Sequence, residues 1–380
     1  MKAFRFTLLA LFLLIMPAAA RAQDSVTELK FFLTFVPNVQ FSPLYVAIEN
    51  GHFVERGIAI EIEHGDEPVG LDLIALGRYQ FGMIGGEQVI AARANGRPVV
   101  FVYEWFNRYP VGVVVPADGD IRTPTDLAGR NVGIPGRFGA SYTGLIALLA
   151  ANGMREEDIN LEVIGFNAPE VMCLGGVEAS VIYINNEPLQ IANRALMNDC
   201  PAVSAVSVIP VADYANMISN GIVTNERTIA EQPELVRAIV EAFDAGLRDV
   251  ITNPAEAYLL SARHVETLPM SDDLRAALEE AAAAQRERLA SGLVLDADEL
   301  ARERAALLAG LQEQFGRTIT AQFEVLLATI PLWEADVLGY TDPEGWALTQ
   351  EILLAMGYIN TPIDLEAAYT NAFVPALAED

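Results

Sequence analysis

The chain has 380 residues and is strongly acidic, with 51 Asp and Glu against 24 Lys and Arg and a formal net charge of −27. Such a surface repels nucleic acid and anionic lipid, which excludes both as expected partners, and it disfavours a strongly anionic ligand unless a local arginine pocket overrides the field. The length is sufficient for two domains.

The N-terminus has the three parts of a secretory signal peptide. Basic residues precede an apolar run over residues 6–16, and Ala-Arg-Ala at 20–22 supplies small residues before Gln23. The run is shorter than the roughly 20 residues that a membrane-spanning helix needs, and the alternative is a buried N-terminal helix. We expect a signal peptide over residues 1–22 and a mature protein in a bacterial periplasm.

The next part of the chain predicts an α/β lobe. Short β-rich runs alternate with helical stretches up to about Pro116. The β-rich runs are LKFFLTFV, IAIEIE, FGMIGG, PVVFVYEWF and VGVVV, and the helical stretches cover residues 43–50, 71–77 and 87–95. Alternation of this kind with short loops is typical of an α/β layout.

A second unit with the same alternation begins near Ile121, and the chain then becomes helical. Its strands are VGIP, LEVIGF and ASVIYI, with helices over 142–152 and 169–174. After Val211 one strand, GIVTN, precedes long helices rich in Ala, Leu, Glu and Arg. The amphipathic stretch over 274–304 predicts a solvated helical hairpin.

Five ordered motifs extend over essentially the whole mature chain: PNVQFSPLYVA with GHFVERG, GGEQVIAARANGRPVV, TPTDLAGRNVGIPG, GGVEASVIYINNEP and DLEAAYTNAFVP. With these motifs the chain resembles the periplasmic substrate-binding proteins of ABC importers, in the branch that binds thiamine pyrimidine precursors, riboflavin, alkanesulfonates and nitrate. The resemblance implies a two-lobe α/β fold of type II, with the ligand cleft between the lobes and a helical C-terminal extension. Lobe 1 would comprise 23–116 and 211–380, and lobe 2 would comprise 117–210.

The first candidate ligand contacts lie where the first strand passes into a helix. Phe35, Asn38 and Phe41 occupy this junction, and ligands bind at helix N-termini beside strand ends in α/β sheets. The vitamin-precursor branch usually has Trp and His at the positions that resemble Phe35 and Phe41. The departure removes a titratable group but leaves aromatic surface for a flat ring, although Phe35 could equally be a core residue.

A second group of candidates is aromatic. Tyr103, Trp105, Phe106 and Tyr109 fall within seven residues, at the expected end of a strand that crosses between the lobes. Alternate members of a strand face opposite sides, so half of these rings would be buried packing. We expect Trp105, Phe106 or Tyr109 to contact the ligand.

In lobe 2, the residues between strand VGIP and the next helix are further candidates. Phe138, Ser141 and Tyr142 lie there, so backbone N–H groups and the Ser141 hydroxyl can point into the cleft. An ordinary Ser N-cap explains Ser141 alone equally well. Binders of thiamine pyrimidines tend to have acidic residues in this region, and their replacement by small and aromatic residues leaves space for a larger ring system.

The last candidates follow the strand ASVIYI. Tyr183, Asn186 and Glu187 offer donors and acceptors for ring nitrogens or carbonyl groups, and Glu87 lies at the matching place in lobe 1. A buried carboxylate needs such a partner, because desolvating it alone costs several kcal/mol. We expect Asn186 and Glu187 to be ligand contacts.

These features predict a receptor that captures a planar nitrogen heterocycle and delivers it to an ABC permease in the inner membrane, without metal or cofactor. Riboflavin is slightly favoured over a thiamine pyrimidine precursor because of the aromatic excess. An alkanesulfonate or nitrate ligand is the alternative and requires a cationic pocket, for which only Arg108 and Arg137 lie near the motifs. A sensory binding domain is a further alternative.

An enzyme is the least favoured function. The three histidines show no metal-ligand spacing, and no Gly-x-Ser-x-Gly motif is present. A related cytoplasmic branch synthesises the thiamine pyrimidine, but it has a cysteine-rich run that this chain lacks. The two cysteines, Cys173 and Cys200, form either a disulfide or two buried thiols, and the sequence leaves both open.

Overall fold

Two five-stranded sheets form the framework of the computed structural model, which describes residues 26–377. The strands are β1 (Thr27–Thr34), β2 (Ile58–Gly65), β3 (Phe81–Gly85), β4 (Val99–Glu104), β5 (Val111–Pro116), β6 (Asn131–Ile134), β7 (Asn160–Val163), β8 (Ala179–Tyr183), β9 (Val206–Pro210) and β10 (Asn220–Asn225). The predicted signal peptide lies outside the described residues.

Helices cover both sheets and continue to the C-terminal region. They are α1 (Ser42–Glu49), α2 (Glu67–Ala75), α3 (Gly86–Ala94), α4 (Gly139–Ala151), α5 (Ala168–Cys173), α6 (Glu187–Leu196), α7 (Glu226–Glu231), α8 (Pro233–Thr252), α9 (Pro254–Ser261), α10 (Asp272–Ala290), α11 (Ala297–Phe315), α12 (Arg317–Trp333) and α13 (Pro343–Ala355). Between residues 26 and 377, no helix has both the length and the apolar character of a membrane span.

The first sheet has the strand order β2-β1-β3-β10-β4. Strands β1, β2 and β3 are parallel, whereas β10 runs antiparallel to both of its neighbours. Every residue of β3 and β4 is buried, because helices cover both faces of the sheet at its centre. This sheet forms lobe 1.

The second sheet, with the order β7-β6-β8-β5-β9, forms lobe 2. Strand β6 runs parallel to β7 and β8, and β5 runs antiparallel to β8 and β9. The sequence pattern ends lobe 1 at Pro116 and so assigns β5 to it. That boundary is wrong, because β5 pairs only with strands of the second sheet, and the chain therefore crosses between lobes before Val111.

The C-terminal helices complete lobe 1 and reach across to lobe 2. Helices α8 and α9 pack against α1, and α12 contacts α6 of lobe 2. The predicted hairpin over 274–304 is confirmed as α10 and α11. In lobe 2, Cys173 and Cys200 form a disulfide with their Cα atoms 4.2 Å apart, which excludes the alternative of two free thiols.

Candidate ligand-binding site

A cleft of about 990 Å³, part of it open to solvent, lies between the lobes. Lobe 1 contributes the ends of β1 and β2 and the start of α2, and lobe 2 contributes the ends of β6, β7 and β8 with the starts of α4 and α6. The crossing segment adds Trp105 and Phe106. Carboxyl ends of strands and N-termini of helices from both lobes thus face one space, as ligand sites in α/β sheets do.

Stacked aromatic side chains form one wall of the cleft. The rings of Phe41 and Trp105 stack with their centroids 5.6 Å apart, and Trp105 stacks in turn on Trp333 at 5.7 Å. Phe106 packs edge-on against Trp105 at 4.6 Å and against Tyr183 of lobe 2 at 6.2 Å. Because these rings support one another, they offer a flat ligand a preformed stacking surface.

A pair of phenylalanines joins the two lobes beside this wall. The Phe35 and Phe166 rings meet edge-on, with centroids 4.8 Å apart. Phe35 has a φ of +70°, a left-handed conformation that is uncommon for residues other than glycine. Its carbonyl oxygen lies 3.1 Å from His64 Nδ1, and burial lowers the pKa of this histidine, so the neutral ring can donate the hydrogen bond.

Two carboxyl groups face the cleft from corresponding places in the two lobes. Glu67 is the first residue of α2 and accepts a hydrogen bond from the Gly85 N–H at 2.7 Å. Glu187 is the first residue of α6 and accepts one from the Tyr183 N–H at 2.9 Å. Burial raises the pKa of each to about 7, and these backbone hydrogen bonds oppose the rise. Both side chains therefore titrate near neutral pH.

A third carboxyl group, Glu87, lies behind Glu67 at the start of α3. It is fully buried, and neither of its oxygens has a hydrogen-bond partner among the described residues. Burial, and then the charge of Glu67, raise its pKa well above the usual range, and the nearby Glu87 backbone N–H and Gln88 side chain oppose this rise only in part. Gly85 lies between the two groups. Its N–H donates a hydrogen bond to Glu67, and on its other side Glu87 is so close that a Cβ placed on Gly85 would lie 2.5 Å from Glu87 Oε2.

Nine of the thirteen predicted site residues line the cleft: Phe35, Phe41, Trp105, Phe106, Phe138, Ser141, Tyr183, Asn186 and Glu187. For the other four the placement is corrected. Asn38 caps the turn before α1 by accepting from the Gln40 N–H at 2.9 Å, and Glu87 is enclosed behind the wall. Tyr109 and Tyr142 donate their hydroxyl protons to Ala140 O and to Glu156, both at 2.7 Å.

Among the cleft residues absent from the prediction, Glu67, Asn220 and Phe166 make the contacts that matter most for the site. Glu67 was missed because the helix was expected at 71–77, whereas it begins four residues earlier. A signal was present, since Glu67 precedes a proline as Glu187 does. Asn220 accepts from the Tyr183 hydroxyl at 2.9 Å, and Phe166 contacts Phe35, so both are placed by tertiary contacts across the lobes.

The cleft is acidic. Its described lining contains three carboxyl groups, those of Asp66, Glu67 and Glu187, and no Lys, Arg or His. Arg108 forms a half-exposed ion pair with Asp213 at 2.6 Å, and Arg137 pairs with Glu156. The arginines that an anionic ligand would need are thus engaged outside the cleft.

Comparison with known proteins identifies relatives of this chain. Residues 38–257 match the profile described as NMT1/THI5 like. The riboflavin-binding protein RibY of Chloroflexus aurantiacus is 29% identical over 365 residues, which cover 94% of this chain and 89% of RibY. The formylaminopyrimidine-binding protein of Halalkalibacterium halodurans is 28% identical over 68% of this chain and 78% of that protein. A 4-amino-5-hydroxymethyl-2-methylpyrimidine phosphate synthase of Legionella pneumophila is 23% identical over 62% of this chain and 72% of the synthase.

Solved structures share the fold at low sequence identity. The ligand-binding component of an ABC-type import system from Staphylococcus aureus has a TM-score of 0.60 at 10% identity, covering 93% of this chain and 99% of that one. The two-lobe α/β fold predicted from the sequence is thereby confirmed, and two of the relatives are solute-binding proteins, in agreement with the predicted role. Because the matched profile spans more than half of its length, the chain belongs to the NMT1/THI5-like family.

Proposed function

We propose that the protein is the solute-binding component of an ABC importer and that it captures an uncharged planar nitrogen heterocycle, with riboflavin slightly favoured. The observation that carries this proposal is the cleft itself. It combines a wall of stacked rings with carboxyl groups from both lobes, and its described lining has no cationic side chain.

Riboflavin matches the chemistry of the cleft in three respects. The three fused rings of the flavin present a large face for stacking against Trp105 and Phe41. The imide edge of the flavin carries an N–H between two carbonyl groups, which suits a carboxylate acceptor with an amide donor such as Asn186 nearby. The relative RibY, named for riboflavin binding, aligns with 94% of this chain.

A thiamine pyrimidine precursor is the second candidate. The sequence argument against it was the lack of acidic residues near Ser141. In the structure, Glu67 of lobe 1 supplies an acidic group at this place. Its Oε2 lies so close to Gly139 of lobe 2 that a Cβ placed on that glycine would be 2.6 Å away. An exocyclic amino group could therefore donate to Glu67 or Glu187. The similarity to a formylaminopyrimidine-binding protein supports this candidate.

Neither an anionic ligand nor catalysis is part of the proposal. Three carboxyl groups without a cation disfavour a sulfonate or nitrate. The synthase activity of other relatives is not extended to this chain, whose two cysteines are joined in a disulfide within lobe 2.

The proposed location is the periplasm, with an inner-membrane permease as partner. The signal peptide predicted over residues 1–22 supports export, and a disulfide persists in an oxidising compartment. Closure of the lobes around the ligand would present the permease with a distinct shape, since hinge closure is the usual response of two-lobe binding proteins.

The test is a ligand panel on the mature chain, residues 23–380. Thermal unfolding would be followed with riboflavin, riboflavin 5′-phosphate, the formylaminopyrimidine, taurine and nitrate, each at the same excess. A ligand at 100 times its Kd stabilises the protein by about 2.7 kcal/mol. We expect stabilisation by riboflavin with quenching of its fluorescence, and none by taurine or nitrate. Stabilisation by taurine or nitrate alone would contradict the proposal.

A further inference from the structure

The carboxyl group of Glu87 cannot remain ionised in its surroundings. Both oxygens are buried without a hydrogen-bond partner in the described part of the chain. Burying an unpaired carboxylate costs several kcal/mol, whereas a protonated carboxyl group avoids most of that cost. Glu87 therefore carries a proton in the folded protein at neutral pH.

Among residues 26–377, the groups around Glu67 and Glu87 supply no compensating positive charge. The titratable side chains that lie within reach of the charges of the pair are Tyr109 from the crossing segment, Tyr183 from β8 and Tyr358 after α13, and Glu187 of α6 also acts on Tyr183. All of these are acids or neutral phenols. Two carboxyl groups that share such a site cannot both be ionised, and they titrate as a pair.

Glu67 is the member of the pair that a ligand can reach. It lines the cleft, whereas Glu87 lies behind it. Its Oε1 is engaged by the Gly85 N–H, and its Oε2 faces Gly139 at the start of α4. Gly139 has a φ of +64°, so this close approach of lobe 2 depends on a glycine at that position.

We propose that Glu67 and Glu87 act as one proton-holding pair, and that the ligand presents a ring N–H or amino group to Glu67, displacing the proton that Glu67 otherwise holds while Glu87 keeps its own. The ligand part of this inference rests on the proposed function. On binding, the Glu67 proton passes to solvent, and the ligand N–H donates to the carboxylate left behind.

Two consequences follow for the ligand. An N–H donor is selected where Glu67 is ionised, because a ligand with only acceptors would then leave Glu67 Oε2 buried without a hydrogen-bond donor. Affinity also depends on pH: the pKa of Glu67 is raised to about 7, so below that pH a proton competes with the ligand N–H. Affinity therefore rises between pH 6 and pH 8, and binding releases up to one proton in that range.

The first experiment needs no ligand. Infrared spectra of the ligand-free protein at pH 7.5 would be recorded for the wild type, Glu87→Gln and Glu178→Gln. Glu178 is a matched control, an exposed lobe 2 carboxylate paired with Arg130. We expect a protonated-carboxyl band in the wild type and the control, and a weaker band in Glu87→Gln, because Glu104, whose pKa burial raises to about 8, still contributes to the band. A wild-type spectrum without this band up to pH 8 would contradict the proposal that Glu67 and Glu87 hold a proton. This outcome does not depend on whether the variant folds.

The second experiment is calorimetric titration with riboflavin in two buffers of different ionisation enthalpy. The wild type should release a proton at pH 6.5. Glu67→Gln should bind roughly 10- to 100-fold more weakly at pH 8, because a hydrogen bond to a charged acceptor is lost, and should release fewer protons than the wild type, with Glu187 as the remaining source. In Glu87→Gln the new amide is a permanent hydrogen-bond donor near Glu67 and favours its ionised form. Glu67 should therefore take up its proton at a lower pH than in the wild type, and the loss of affinity on acidification should begin at that lower pH.

The outcomes distinguish a failure of the proton-holding pair from a failure of the proposed function. Binding of riboflavin without proton release, and with the same affinity at pH 6 and pH 8, would overturn the inference and leave the proposed function intact. If neither riboflavin nor the formylaminopyrimidine binds, the proposed function and the ligand role of Glu67 both fail. The difference in the infrared band between the wild type and Glu87→Gln then still decides whether Glu87 holds a proton.

Discussion

Glu67 of lobe 1 and Glu187 of lobe 2 have the same local backbone structure but different neighbouring groups. Each is the first residue of a helix that follows a strand, each precedes a proline, and each accepts a hydrogen bond from a backbone N–H. A negative charge at a helix N-terminus is favourable in both cases. The difference lies in the neighbours: Glu67 has the unpartnered carboxyl group of Glu87 behind it, whereas the neighbour of Glu187 is the amide of Asn186, which accepts from Gln190 at 2.8 Å.

This difference teaches that a helix N-terminus does not by itself determine what a carboxylate does. In the proposed pair, Glu67 releases its proton when a ligand arrives and Glu87 keeps a second one, whereas Glu187, which also titrates near neutral pH, has only an amide as its neighbour. The stacked rings of Phe41, Trp105 and Trp333 also belong to lobe 1 and the crossing segment. We therefore expect the ligand to dock on lobe 1 and lobe 2 to close over it.

The largest predicted effect concerns the stability of lobe 2. Replacing Cys173 and Cys200 together by Ala should lower the free energy of unfolding by roughly 3 kcal/mol, because the disulfide closes a loop with a sequence separation of 27. Denaturant unfolding would measure the loss, with the reduced wild type as control. Since neither residue lines the cleft, riboflavin affinity below the unfolding transition should stay the same. A loss of riboflavin affinity that accompanies the loss of stability would show that lobe 2 contributes to ligand binding beyond closing over the ligand.

The next effect sharpens the comparison of the two glutamates. The pKa of Glu187 is raised to about 7, so the stability associated with its protonated form is present below about pH 4.5 and is lost as pH rises through 7. Glu187→Gln should thus have the same free energy of unfolding as the wild type at low pH. At pH 8 its free energy of unfolding should be about 2 kcal/mol higher than that of the wild type. Chemical denaturation at several pH values would test this. A variant less stable than the wild type at pH 8 would show that the ionised carboxylate is favourable in the fold.

The smallest effect concerns the contact between the lobes. Phe166→Ala removes the edge-on contact with Phe35, and such pairs contribute about 0.5–1.5 kcal/mol beyond their buried area. We expect a several-fold loss of riboflavin affinity, measured by fluorescence titration, with little change in stability because Phe166 is half-exposed. Leu174→Ala, at another exposed apolar position in lobe 2, is the control and should bind as the wild type does. Equal affinities of Phe166→Ala and the control would show that this contact does not hold the lobes together.

The sequence predicted the parts of the site that local patterns determine. Phe41 and Glu187 follow strands whose ends are visible as apolar runs, and both line the cleft. Trp105 was expected at the end of a strand; it lies just after β4, which ends at Glu104, and still reaches the cleft. Tyr109 lies in the same segment, but a hydrogen bond to Ala140 turns it into the lobe 2 core.

Other parts depend on tertiary structure and could not be predicted locally. The lobe boundary was misplaced because strand β5 is equally apolar in either sheet, and only pairing with β8 and β9 decides its membership. Strand β9 is partly exposed along most of its length and gave no clear apolar pattern. Phe166 and Asn220 enter the site through contacts between the lobes, for which spacing along the chain carries no signal.

The most direct test of the central claim compares riboflavin with riboflavin 5′-phosphate in fluorescence titrations of the mature protein at pH 7.5. The two ligands share the ring system and differ by a phosphate, so the comparison isolates the effect of charge in a cleft lined by Asp66, Glu67 and Glu187. We predict that riboflavin binds with a micromolar or lower Kd and that the phosphate ester binds at least about tenfold more weakly, a difference of about 1.4 kcal/mol. Tighter binding of the phosphate ester, or binding of neither flavin, would contradict a cleft built for an uncharged flavin.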